Sequence, residues 1–442
     1  MLLAVVAGAA VALTAGSALL ARPTGDPHEP VDAVPISLDL PWPWQATVQM
    51  DPPGRAALLY GGDALRGTDL FDAEGKLAVV GRTGVTRTLL YSGAEAVSAG
   101  VDVLLSPDGR RVAQAFLQGS GTGGDGLIVT DLDTGRSVTV PGPAGAGCCT
   151  PVAWAPDGDA LLATQQGRIS WKDGYGAPER RFVLLDRVTG ASTVLSDYLP
   201  FYEIRTASQG AFGPDGGHLV LSEGTTVRLV DRTGETLWSR DLGPRRHLAG
   251  VGAFTPDGAR ITTVTLEGCL DHCDESALAD RRWTFGYLDV ASGADADGPA
   301  LAPVTGMAVR AVGWIRGGEL AVLRYQPERG AYKETSVGWD DVGWWETGHV
   351  TLLGLRPGAG PRTVFDPPDG VLTLDVPADL LAAGSFDGPP AHASLAPVRM
   401  WAVLGYVVFT SVVWVPLAAV AVVVTGLVVR RRARRRAAGV RR

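Results

Sequence analysis

The sequence predicts an all-β fold: a β-propeller of four-stranded blades, flanked at both ends by an apolar segment long enough to cross a membrane. Two recurring turns carry the prediction, together with a composition rich in Gly (58) and Pro (30), which favours tight turns over helices. The first turn is Pro-Asp-Gly after an aromatic or apolar residue and before a short apolar run. It occurs in "LLSPDGRRVAQAF", "AWAPDGDALLAT", "AFGPDGGHLVLS" and "AFTPDGARITTV", with its proline at Pro107, Pro156, Pro214 and Pro256. Degenerate copies stand at "VQMDPPGRAALLY" from Val48 and "VGWIRGGELAVLR" from Val312. The second turn is Asp, one or two residues, then Thr or Ser, then Gly. It alternates with the first at "LIVTDLDTGRSVTV", "FVLLDRVTGASTVL", "VRLVDRTGETLW" and "FGYLDVASG", with weaker copies from Leu77 and Thr351.

Both turns have one physical cause. Pro presets the backbone for a type I turn, and Gly takes the left-handed conformation that closes a hairpin. Each repeat therefore holds two tight hairpins and four strands. Runs such as "ALLAT" and "HLVLS" are apolar at nearly every position, as in strands covered on both faces. Four-stranded units at this spacing are propeller blades, and the paired turns count six. Two remnants, Val34–Leu40 and Val371–Leu381, lie outside that count. They either close the ring or form a seventh, mixed blade.

The segments follow in order. Residues 1–21 contain the apolar run Leu2–Ala21, about the length that crosses a bilayer. It has no basic stretch before it and no clean cleavage site after it, so an uncleaved anchor is favoured over a signal peptide. Residues 22–35 are a Pro-rich linker, 36–385 the propeller and 386–398 a second linker. Residues 400–429 are uncharged throughout and have no polar face, as in a transmembrane helix rather than a packed amphipathic one. Residues 430–442 hold eight Arg and no acid, and removing them takes the net charge from −8 to −16. The positive-inside rule keeps this tail cytoplasmic and places the propeller on the extracytoplasmic side of the cell membrane. The acidic body excludes nucleic acid as a partner, because it repels phosphate.

The blade turns "WAPDGDALLAT", "FGPDGGHLVLS" and "FTPDGARITTV" resemble the WD40-like repeat of TolB-type propellers, whose blades carry an aromatic-x-Pro-Asp-Gly hairpin. The resemblance covers most of residues 46–365 and implies the propeller fold. The chain lacks the separate α/β domain of TolB and carries membrane segments that TolB lacks, so no TolB role is implied. The Gly-His and Trp-Asp pairs of true WD40 blades are absent.

In a propeller blade, the first-to-second and third-to-fourth turns emerge on one face. Both repeated turns therefore share a short-looped face, and the long connections collect on the other. Those connections are 142–151 between blades two and three, 196–205 between three and four, 170–181 inside blade three, 267–282 inside blade five and 325–349 inside blade six. Loops held by a rigid scaffold are where binding usually sits. The blade-six loop contains "GWDDVGWWETG", which sets Trp339, Trp344 and Trp345 beside Asp340, Asp341 and Glu346. Aromatic rings among acids suit stacking on sugar or gripping a cationic peptide. The bland alternative folds these Trp inward to cap the channel.

Four cysteines in an exported domain point to disulfides. Cys269 and Cys273 are spaced for a local loop disulfide and lack the second ligand pair of a zinc site. Cys148 and Cys149 are neighbours, and geometry disfavours a bond between them as a default. Pairing with the blade-five loop and free thiols remain the alternatives. Asp131, Asp186, Asp231 and Asp289 of the second turn recur at equivalent blade positions, apart around the ring, and read as turn-stabilising rather than metal-binding. No G-x-S-x-G elbow, H-E-x-x-H or P-loop occurs, so no cofactor is expected. The predicted function is a binding module for a protein, a peptide or a cell-envelope glycan. The rival readings are a lyase- or glycosidase-type enzyme with its site at the channel, and an accessory subunit of a membrane complex.

Overall fold

The computed structural model describes residues 29–41, 45–62, 77–89, 98–115, 126–143, 148–172, 175–200, 210–333 and 347–393, and helical positions between 408 and 430. The chain divides into two compact units: Gly25–Ala393, and Met1–Thr24 together with Ser394–Arg442. In the second unit the described positions are helical, and Val408, Val412 and Val422 to Val424 are exposed. No helix among the described residues is long and apolar enough to cross a membrane. Leu2–Ala21 and many positions of Met400–Val429 lie outside the described residues.

Gly25–Ala393 is a ring of six antiparallel blades. Blade two shows the plan, running outward through Val103–Leu105, Arg111–Ala115, Gly126–Asp131 and Ser137–Pro141. Pro-Asp-Gly joins its first two strands and Asp-Leu-Asp-Thr-Gly its last two. Both repeated turns thus fall on the same face, as read from the sequence. Gly109, Gly158, Gly216 and Gly258 all take the left-handed conformation, with φ of 69°, 72°, 66° and 68°. The carboxylates close the turns by accepting backbone N–H groups. Asp157 accepts from Asp159 at 2.9 Å, Asp257 from Ala259 at 3.0 Å, Asp186 from Thr189 at 2.8 Å and Asp289 from Ser292 at 2.9 Å. The Thr189 N–H holds the Asp186 carboxyl below the usual range, and the Thr255 and Ser292 hydroxyls, seconded by these backbone bonds, do the same for Asp257 and Asp289.

The aromatic residue of the first turn faces the preceding blade. Trp154 packs with Leu104, Ala113 and Leu127 of blade two and donates its indole N–H to the Leu104 carbonyl at 3.3 Å. Phe212 packs with blade three and Phe254 with blade four. Burying such a ring contributes about 2 kcal/mol to each blade–blade seam.

Three expectations are corrected. The copy from Val48 does not form the inner hairpin of blade one. Thr47 instead bridges Thr88 on the outer edge, and the innermost strand is Thr373–Asp375, paired with Ala56–Gly61. The Val371–Leu381 remnant therefore closes the ring, and the described residues form no seventh blade. The 170–181 stretch is not a loop: Ala160–Lys172 and Tyr175–Asp186 pair as one long hairpin. Cys148 and Cys149 lie in Cys148–Trp154, the innermost strand of blade three, not in a connection.

The closing seam is heavily bonded. The Ala99 N–H donates to Thr373 Oγ1 at 3.0 Å and the Leu105 N–H to Asp375 Oδ2 at 2.8 Å. Arg310 of blade six, 4% exposed, donates to the carbonyls of Leu374 and Gly100. Burial pushes the Asp375 carboxyl up to about 6, against the pull of Arg310. A short helix, Ala378–Ala383, follows and buries Leu380 and Leu381, and Asp379 accepts from Arg55 at 2.8 Å and Arg82 at 2.7 Å. The N-terminal arm then zips in parallel onto the C-terminal one, with Pro35 opposite Gly388 and Leu38 opposite Ala391.

Candidate functional site

The long-loop face carries a clasp between the inner connections of blades five and six. Its base is Cys269, disulfide-bonded to Cys273 as the sequence predicts. The helix of the clasp, Glu275–Ala279, follows directly, its N-terminus capped by Asp274, which accepts from the Ala277 N–H at 2.8 Å. Leu278 is buried beside Cys273, Tyr325 and Ala331 in the blade-six core.

Arg281 holds the loop from beneath. It is 1% exposed and donates to the carbonyls of Cys269 at 2.9 Å, Leu270 at 3.1 Å and Met307 at 3.3 Å. A guanidinium carries five donors in a fixed fork, which suits several carbonyls at once. Cys273–Asp274 pairs antiparallel with Tyr332–Lys333 of blade six. Glu275 accepts from the Gly330 N–H at 2.7 Å. The two connections are thereby one piece.

On this platform Tyr332 is 54% exposed, with its hydroxyl 3.5 Å from His272 Nδ1. His272 is exposed and has φ 54°, the left-handed value that a side chain seldom adopts. The clasp thus holds the backbone that carries an exposed ring and an exposed imidazole. Trp339, Asp340, Asp341, Trp344, Trp345 and Glu346 lie outside the described residues. Their segment starts next to Lys333 and ends next to Thr347, which opens the third strand of blade six.

Across the same face, the Arg181 guanidinium stacks over Tyr198 at 4.6 Å and donates to Gln165 Oε1 at 2.8 Å. Glu223 accepts from Arg228 at 2.6 Å, and burial still raises its carboxyl above the usual range. Cys149 is buried and disulfide-bonded, which excludes a free thiol there. Cys269 and Cys273 hold each other, so pairing with the blade-five loop is excluded too. Among the described residues no three His, Cys, Asp or Glu converge as a metal set.

Sequence reasoning named the clasp loops but not their working residues. Arg281 and Tyr332 carry no motif. The one available signal was the disulfide spacing, which marks 269–273 as a rigid point on a long loop.

No family model and no curated protein matches the chain. Solved structures do. An oligogalacturonate lyase in complex with manganese is 15% identical over 73% of this chain and 88% of its own, with a TM-score of 0.38. TolB from Acinetobacter baumannii is 11% identical, covering 66% and 65%, with a TM-score of 0.33. A puromycin-hydrolyzing peptidase from Mycobacterium tuberculosis is 14% identical, covering 75% and 57%, with a TM-score of 0.39. TolB-type propellers thus stand among the neighbours. The fold assignment rests on the strand pairing, and the neighbours' activities do not transfer at this similarity.

Proposed function

We propose that this chain is a membrane-anchored extracytoplasmic propeller that binds a protein, a peptide or a cell-envelope glycan through its long-loop face. The observation that supports it is the clasp. A disulfide, a helix, a buried Arg and a cross-blade strand pair together hold Tyr332 and His272 out to solvent. Ordering these groups in advance removes an entropy cost from binding. An exposed ring so held suits a sugar face or a cationic side chain. The anchoring half of the reading is supported by the uncharged run at 400–429, the Arg cluster after it and the exposed valines at 422–424.

The test is co-sedimentation of the full chain, in detergent, with insoluble cell-wall glycan, and titration with a Lys-rich peptide. Tyr332→Ala should weaken binding about tenfold, and Leu237→Ala, remote on blade four, should not. Equal binding by both variants would sink the clasp as the site. Release of soluble fragments from the glycan would favour the enzyme reading instead.

A further inference from the structure

We propose that Arg181, on blade three, is a receptor for a carboxylate: the end group of a peptide or the acid group of a sugar. The inference rests on the reading of the long-loop face as a binding surface, and adds a contact apart from the clasp. Three observations carry it.

The first is how the guanidinium is fixed. Arg181 lies opposite Gln165 on the neighbouring strand, and Gln165 lies opposite Cys148. The Arg181 Nε–H donates to Gln165 Oε1 at 2.8 Å, and the same amide donates through Nε2 to the Pro143 carbonyl at 3.3 Å. Gln165 is fully buried and held at both ends of its amide, so the acceptor keeps its place. The guanidinium also lies over the Tyr198 ring, 4.6 Å from its centroid. That ring backs onto Gly167, where an added Cβ would stand 2.6 Å from Tyr198 Cδ1. A long side chain has thus lost much of its freedom before any ligand arrives, which lowers the entropy cost of binding.

The second is what the guanidinium leaves open. It has five N–H donors, and only the one on Nε is used. Nη1 and Nη2 bond no group among the described residues, and Arg181 makes no ion pair with Glu179 or Asp197, the acids nearest in sequence. Arg228 on blade four shows the contrast: its terminal nitrogens are taken by Glu223, Leu195 and Thr236. The open edge of Arg181 offers two parallel N–H groups, the geometry that meets both oxygens of a carboxylate. The Tyr198 hydroxyl, on a residue 36% exposed, likewise bonds no group among the described residues.

The third is the match of charge and shape. Guanidinium and carboxylate are both planar, and each carries one charge. Phosphate carries more charge than one guanidinium balances. Arg180 does not supply the difference, because successive side chains of a strand point to opposite faces of the sheet. The guanidinium already covers one face of the Tyr198 ring, so a sugar would be held by its acid group rather than by stacking on that face.

The test is calorimetric titration of the full chain in detergent at low salt. The probes are N-acetyl-dialanine and its C-terminal amide, then glucuronate and glucose. Wild type should bind at least one acid about tenfold more tightly than its neutral counterpart, and the acid that does so names the source. Arg181→Lys should weaken that binding about tenfold, since an ammonium keeps the charge and loses the fork. Tyr198→Leu, which removes the platform, should weaken it severalfold. Neutral probes bound as tightly as the acids, an Arg181→Lys chain that matches wild type, or inorganic phosphate bound as tightly as either acid overturns the inference. So does the failure of both acids to bind. Titration of the same preparation with the Lys-rich peptide then separates the readings. Binding that depends on Tyr332 means that the Arg181 site alone has failed, and no binding means that the long-loop face has failed with it.

Discussion

Replacing Asp375 with Asn should flatten the pH dependence of stability. Asp375 sits on the strand that closes the ring, and its carboxyl is pushed up to about 6 from an ordinary 3.8, chiefly by burial. A raised pKa means that the folded chain holds the proton more tightly than the unfolded one. That contribution is fully present below pH 3.8 and is lost as pH rises through about 6. The difference between the folded and unfolded carboxyl corresponds to about 3 kcal/mol in all. Asn keeps an acceptor for the Leu105 N–H and never ionises, so the variant should escape the loss. Urea unfolding of the full chain in detergent, followed by Trp fluorescence, measures the difference from about pH 4.5 to about pH 7.5. The Asp375→Asn variant should gain about 2 kcal/mol relative to wild type across that span, the remainder having been lost below about pH 4.5. His247, which burial holds neutral, loses stability in the opposite direction, as pH falls through its unfolded value, and cancels in the comparison. Parallel curves for the two chains would refute the reasoning.

Three further outcomes follow from the packing. Cys273→Ser opens a short covalent loop and should cost about 2 kcal/mol, with faster hydrogen exchange at 269–281 and 328–333 but not in blades two to four. Arg281→Met removes the donor shared by the Cys269, Leu270 and Met307 carbonyls, the last of them buried, and should cost about 2 kcal/mol, read as a lower melting temperature. Gly250→Ala should abolish soluble folded chain in expression trials. Gly250 has φ 152°, and a Cβ there would lie 2.2 Å from the Ala311 carbonyl of blade six.

The blades were legible because their turns are local chemistry. Pro107-Asp-Gly109 and Asp186-Arg-Val-Thr-Gly190 state a hairpin within five residues, and repetition multiplies the statement. The misread stretch at 170–181 held the same kind of signal. Only Asp-Gly separates the paired Lys172 and Tyr175, and Asp-Gly between strands is a hairpin mark. Its Pro178, at a register shift, disguised it. What stayed hidden was long-range. Thr373–Asp375 finds its partners hundreds of residues upstream, and Cys273–Asp274 meets Tyr332–Lys333 through two residue pairs. No local pattern announces either. Of the candidate site, the disulfide was readable from spacing, whereas Arg281 and Tyr332 gain their meaning only from what folds around them.

Blade one is written at both ends of the chain, and this orders events in time. A ribosome delivers Ala56–Gly61 early and Thr373–Asp375 late. The bonds from Ala99 to Thr373 and from Leu105 to Asp375 bridge 274 and 270 positions. Five blades can assemble while the first still shows a bare strand edge. A chain cut short before Thr373 would keep that edge for good, open to stray β pairing and to proteases. The last strand thus reports that the message was read through, and a ring that shuts certifies a chain that is whole up to that strand.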